Sequence, residues 1–169
     1  MDKEKINVVV IKSAFNSEIV DNLYKGIEKS FNDKKLSHVM EVIEVPGAFE
    51  IPYMANLVLH RQRSNFADIP ELKDNHPVLP DCIITLGCVI KGETAHFEYI
   101  SNSCASTLSQ LTLKSAGTPI MFGVITAYTR EQALKRSEVN FGSQENINIG
   151  YNVANAAIEI LSSKEKHRL

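Results

Sequence analysis

The pattern that most restricts what this chain can become is a regular exchange between apolar runs and helical stripes. Four runs read as strands, at residues 6–11, 39–45, 82–90 and 119–126. Between the first two, Ile19, Leu23, Ile27 and Phe31 recur at the spacing of one helix face, with Asn16 or Ser17 as N-cap. Ile51, Met54, Ala55 and Val58 repeat the pattern after the second run, where Pro52 is tolerated in a first turn. After the third run, Phe97, Ile100, Cys104, Leu108 and Leu111 predict a longer helix that stops at Gly117. Thr129 and Gln132 fit a capping box for a short helix through Arg136, and Ile149, Val153, Ala156, Ala157 and Ile160 outline a last one. Strands that are apolar throughout and alternate with helices predict a parallel sheet covered on both faces. A single domain over residues 1–169 is expected, with the polar, proline-bearing stretch 61–80 as a surface insertion.

Composition narrows the partners. The net charge is −2 and the two signs are interspersed, which leaves no nucleic-acid footprint and no polybasic membrane patch. The start, Met1-Asp-Lys-Glu-Lys5, is charged and lacks the apolar core of a signal peptide. No apolar run approaches the roughly 20 residues that span a bilayer. A cytoplasmic protein is expected. Cys82, Cys88 and Cys104 are odd in number, sit in apolar contexts and lack metal-ligand spacing, so buried free thiols and no metal are expected.

In an open parallel sheet, ligands bind beyond the carboxyl ends of the strands. The turn Gly92-Glu93-Thr94 lies there, entering a helix whose first N–H groups lack intrahelical partners and favour an anion, a phosphate above all. An ordinary N-cap at Thr94 accounts for the same residues equally well. His96 comes next but one. A lone histidine is usually just solvated, but a helix N-terminus disfavours imidazolium and leaves a ring suited to accepting a proton. Phe15 ends the first strand and is either a hydrophobic staple or an exposed stacking ring. Pro46-Gly47-Ala48 is a tight turn of small residues that lets a ligand approach the backbone. Glu50, the one charge in residues 45–51, is a first-turn acid or a ligand contact. Arg136, late in a short helix, suits the dipole in any case, while Lys135 and Arg130 read as solvated. Phe122 sits mid-strand, where a core position or a subunit contact is natural.

Three motifs in register carry a resemblance. They are Val45-Pro-Gly-Ala-Phe-Glu-Ile-Pro52, residues 87–100, and Pro119-Ile-Met-Phe-Gly-Val-Ile-Thr126, with Phe15-Asn16 after the first strand. From about Asn7 to Ile160 the chain resembles the lumazine synthases. The resemblance implies a three-layer αβα, flavodoxin-like domain with a four-stranded parallel sheet. It implies an enzyme of riboflavin biosynthesis that condenses 5-amino-6-(D-ribitylamino)uracil with 3,4-dihydroxy-2-butanone 4-phosphate. The products would be 6,7-dimethyl-8-ribityllumazine, phosphate and water, with neither metal nor cofactor.

By the same resemblance His96 is the catalytic histidine, and Gly92, Glu93, Thr94 and Arg136 hold the phosphate. Phe15 stacks on the pyrimidine. Asn16, Ala48, Phe49, Glu50, Cys88, Val89, Ile90 and Phe122 complete the binding of ring and ribityl chain. A homo-oligomer is implied, with active sites between neighbouring subunits. The turn over 139–147 and the absence of a long N-terminal arm resemble the pentameric members of the family, not the shell-forming ones.

Two regions depart from the family, the polar stretch near residues 61–80 and the segment between Arg136 and Gly150. Asn148-Ile149-Gly150-Tyr151-Asn152 stands where these enzymes usually have Asn-Lys-Gly followed two residues on by an acid. Two other functions therefore stay open here: a noncatalytic lumazine or flavin binder, and a riboflavin synthase of the archaeal type. The phosphate-holding residues argue against the latter, whose reaction has no phosphate to hold.

Overall fold

The computed structural model describes residues 5–61, 80–115, 117–141 and 148–168. Four strands, β1 (Ile6–Ser13), β2 (His38–Val45), β3 (Cys82–Ile90) and β4 (Ile120–Ala127), form one sheet in the order β2-β1-β3-β4. All three pairings are parallel, with Ile6 opposite His38, Val8 opposite Cys82 and Ile83 opposite Ile120. Among the described residues five helices connect and cover them: α1 (Ser17–Asp33), α2 (Ile51–His60), α3 (His96–Lys114), α4 (Arg130–Arg136) and α5 (Ile149–His167).

The sequence of β1 and β3 is apolar without alternation because each face of these central strands meets a different helical layer. On one face Val8 and Val10 of β1 and Ile84 and Leu86 of β3 pack with Leu23, Ile27 and Phe31 of α1 and Ala154 and Ala157 of α5. On the other, Val9, Ile11 and Ile83 pack with Ile51, Ala55 and Val58 of α2 and Cys104 and Leu108 of α3. The result is the three-layer, flavodoxin-like arrangement expected from the sequence. The insertion expected over 61–80 lies, apart from Arg61 and Pro80, outside the described residues.

Several local expectations need correction. β2 is not a buried strand: among the described residues it is an edge, paired with β1 alone, and Val39 and Val42 are 49% and 41% exposed. Its acids turn outward, Glu41 to Arg61 at 2.7 Å and Glu44 to Lys12 at 3.3 Å. The third helix ends at Lys114, earlier than expected, and Gly117 with φ 103° lies in the turn leading to β4. The last helix buries Gly150, Ala154, Ala157 and Ile158, whereas Ile160 is 44% exposed. The stripe is rotated because α5 presents its smallest residues to α1. The expected capping box is present, with Thr129 Oγ1 accepting from the Gln132 N–H at 3.3 Å. Gln132 reaches back to the N–H of Tyr128, one residue before the cap, at 2.9 Å.

The contact between α1 and α5 is close enough to require glycine. A Cβ on Gly150 would lie 1.9 Å from the carbonyl oxygen of Leu23, a backbone atom that cannot swing aside. Gly150→Ala therefore forces the two helices apart and should cost about 1–3 kcal/mol or more. A urea midpoint indistinguishable from wild type would show that the helices do not meet there.

Candidate active site

β1 and β2 end in register, Ser13 beside Val45, while β3 runs on past them to Ile90, and the turns leaving the three strands enclose a cleft of about 800 Å³. The β1–β2 ladder runs on past its last strand residues, because the N–H groups of Ala14 and Phe15 donate to the carbonyls of Val45 and Pro46 at 2.8 and 3.1 Å. Asn16 then turns the chain into α1 with a left-handed backbone, φ 58° and ψ 42°. It caps the helix by position only. Its amide nitrogen instead donates to the Cys88 carbonyl of β3 at 2.9 Å. Phe15, fixed on both sides, is 70% exposed with its ring at the cleft, so the staple reading does not hold.

From the end of β2 the cleft takes Ala48, Phe49 and Glu50, together with Pro46 and Gly47 of the tight turn. Glu50 holds the N-cap position of α2, and no hydrogen bond or ion pair occupies its carboxylate among the described residues. Cys88, Val89 and Ile90 form the floor. Burial pushes the Cys88 thiol up to about 11, against a smaller opposing pull from Arg130. It is a neutral apolar wall, not a nucleophile.

The third side is the turn that enters α3. Gly92 and Thr94 line the cleft, and His96 is the first residue of the helix. Ala95 takes the cap position with no side-chain cap bond, so the ordinary N-cap reading of Thr94 fails. Negative charge is favoured at this helix start. The Glu98 carboxyl is held below its usual range first by its own backbone N–H and then by Lys91, 3.2 Å away. Lys91 also lies 5.5 Å from the centre of the Tyr128 ring, which fastens the turn to the end of β4. The His96 imidazole is exposed and has no hydrogen-bond partner among the described residues.

Phe97, Tyr99 and Ile100 also line the cleft. Periodicity assigns Phe97 and Ile100 to the buried stripe of α3, but the first turn overhangs the end of the sheet and both are only half-buried. Sequence reasoning misses Tyr99, although its spacing of three from His96 puts it on the same helix face.

Asn16, Glu93, Phe122 and Arg136 do not line the cleft. Phe122 lies on the edge strand β4 opposite Thr85 and is 42% exposed. Arg136 is the last residue of α4, exposed and without a partner among the described residues. Arg130, expected to be solvated, pairs with Glu18 of α1. Among the described residues no cluster of acids, histidines or cysteines has the makings of a metal site. No helix among them is long and apolar enough to cross a membrane.

The sheet order reverses direction between β1 and β3, and the cleft opens at that reversal, as in flavodoxin-like α/β proteins that bind small molecules. The model of the family described as 6,7-dimethyl-8-ribityllumazine synthase matches residues 5–165. Proteins of that name from Leuconostoc mesenteroides and Campylobacter hominis are each 33% identical to the chain. The alignments cover 98% and 95% of this chain and 93% and 88% of theirs. The one from Kocuria rhizophila is 31% identical over 94% of this chain and 86% of its own length. The chain belongs to the 6,7-dimethyl-8-ribityllumazine synthase family.

The cysteines give a direct check on the cleft floor. Cys82, Cys88 and Cys104 are all buried, with their thiols pushed up to about 12, 11 and 11 by desolvation. At pH ~8 the thiolate fraction of each is then on the order of one in a thousand or less. Ellman's reagent should find no fast-reacting thiol in the native protein and all three after unfolding. A rapid titre of one in the folded state that Cys88→Ser abolishes would mean that the cleft floor is wet and Cys88 is reactive.

Proposed function

We propose that the cleft at the ends of β1, β2 and β3 is the working site of this enzyme and that the whole chain acts as one domain. The chain makes 6,7-dimethyl-8-ribityllumazine, a transferase reaction of riboflavin biosynthesis, as its family and relatives do. Family membership does not favour a noncatalytic binder or a riboflavin synthase. The carrying observation is that Phe15, Glu50 and His96 reach one cleft with the carboxylate and imidazole unengaged by the other described residues.

The amine of 5-amino-6-(D-ribitylamino)uracil attacks the ketone of 3,4-dihydroxy-2-butanone 4-phosphate, and loss of water leaves an imine. Elimination of phosphate comes next, and attack by the ribityl-bearing nitrogen with loss of a second water closes the ring. The substrates bring their own nucleophile and electrophile. The protein's part is alignment, charge stabilisation and proton transfer. Phe15 stacks on the pyrimidine, while Ala48, Phe49 and Glu50 receive the ribityl chain and Cys88, Val89 and Ile90 bound the ring. Gly92 and Thr94 offer backbone N–H groups and a hydroxyl to the phosphate, Glu93 between them contributes through its backbone N–H alone, and His96 moves the protons. Asn16 serves by holding Phe15 against β3.

Arg136 and Phe122 belong to this reading as contributions from a neighbouring subunit. Both are exposed, and both lie outside the cleft of their own chain. A ring of five cytoplasmic subunits, in which each interface completes one site, accounts for that separation. The guanidinium then closes on the phosphate from the opposite side with two parallel hydrogen bonds.

The decisive assay mixes the purified protein with both substrates and follows lumazine formation together with phosphate release. His96→Ala should lower turnover by ~10²-fold, the scale of one general acid–base group, with substrate binding nearly intact. An unchanged turnover number would remove His96 from the proton transfers.

The shared site has its own test. His96→Ala and Arg136→Ala, each strongly impaired but with measurable residual turnover, should rescue one another when unfolded and refolded together. In a random equal mixture roughly a quarter of the interfaces pair an intact histidine with an intact arginine. Activity should return towards that fraction. Mixed rings without activity would place both residues in one subunit's site or disqualify one of them.

A further inference from the structure

Arg136 depends on a short helix for its position. α4 has seven residues, fewer than a helix needs to hold its own shape, and the arginine is the last of them. Its direction is therefore set by whatever fixes the chain just beyond. Ser137 is fully buried there, with its N–H donating to the carbonyls of Ala133 and Leu134 and its hydroxyl to Leu134, all at 3.1 Å.

The next two carbonyls converge on one side chain. The two hydrogens of Asn148 Nδ2 are shared among three carbonyls, Ser137 at 3.1 Å, Glu138 at 3.2 Å and Asn22 of α1 at 3.1 Å. Asn148 Oδ1 accepts from the Tyr151 N–H at 3.1 Å and so caps α5. The side chain is fully buried, and the neighbouring helix is cut away to admit it: a Cβ on Gly26 would lie 2.1 Å from Asn148 Oδ1. A buried amide with this many backbone partners is a rigid joint. It ties the end of α4 to the middle of α1 and the start of α5.

We infer that Asn148 is a positioning residue for Arg136 and, through it, for the phosphate-bearing substrate. The inference rests on the phosphate role proposed above for that arginine. Asn148 does not touch substrate. It fixes the point from which the guanidinium reaches across to the neighbouring cleft.

Asn148→Ser keeps an oxygen to cap α5 but cannot reach all three carbonyls. The inhibition constant of inorganic phosphate should rise ~10-fold, and the KM of the butanone phosphate with it, as an aligned guanidinium becomes a wandering one. The KM of the ribitylaminouracil should stay within about twofold of wild type, which general loosening of the fold would not spare. In an Arg136→Ala background the same substitution should add almost nothing, since no guanidinium remains to be positioned. An equal effect on phosphate in both backgrounds, or none in either while Arg136→Ala itself weakens phosphate, overturns the inference alone. If Arg136→Ala leaves phosphate inhibition unchanged, the phosphate role of the arginine fails and the inference with it.

Should Asn148→Ser not fold, hydrogen exchange on the wild-type protein decides. Inorganic phosphate should slow exchange at residues 134–138 and also across the joint at 149–152, and neither in Arg136→Ala. Slowing confined to 134–138 overturns the link.

Discussion

One hydrogen bond holds the working end of the molecule together. Asn16 Nδ2 on the Cys88 carbonyl, at 2.9 Å, joins the chain leaving β1 to the last residues of β3. Without it the left-handed turn at Asn16 would be tied to the sheet on the β2 side alone, and Phe15 would lose its anchor to β3. The β1–β2 ladder, extended by two backbone bonds beyond the strands, supplies the other constraint. Three strand ends are thereby held together at one end of the sheet, and the turns that leave them can share a ligand. The apolar layers beneath keep the strands in register, but these few polar contacts decide where the cleft opens.

Much of this is legible in the sequence because two periodicities are clean. The continuous apolar runs point to β1, β3 and β4, and the stripe Ile19, Leu23, Ile27, Phe31 lies wholly on the buried face of α1. Where expectation fails, the cause is tertiary. β2 has the composition of a strand, but nothing in its residues says that it lies at an edge, since strand order depends on which crossovers the helices make. The buried stripe of α5 is misplaced because glycine and alanine carry little hydrophobic signal, yet they set how closely two helices approach.

The candidate site is legible in a different way. Residues just past the strand ends can be chosen from topology alone, and those after β1, β2 and β3 do meet around one cleft. Asn16 can be named but not understood. In the sequence its side chain reads as a helix cap or a ligand contact, and only coordinates reveal a partner 72 residues away. Asn148 escapes for the same reason: a buried amide among backbone carbonyls has no signature in one dimension. Phe122 and Arg136 rest on resemblance to a family, and their exposure outside the cleft fits a role that a single chain cannot complete.

The sheet pairs β1 with β3, Val8 beside Cys82, so the chain closes a long loop before its central contact forms. Closure entropy grows only logarithmically, about 0.6 kcal/mol for each doubling of loop length. The stretch between α2 and β3 can therefore lengthen or shorten at small thermodynamic expense. Its two attachment points, Arg61 after α2 and Pro80 before β3, lie towards the amino ends of the strands, opposite the cleft. A change in the length of this connection therefore acts first at the end of the sheet away from the cleft.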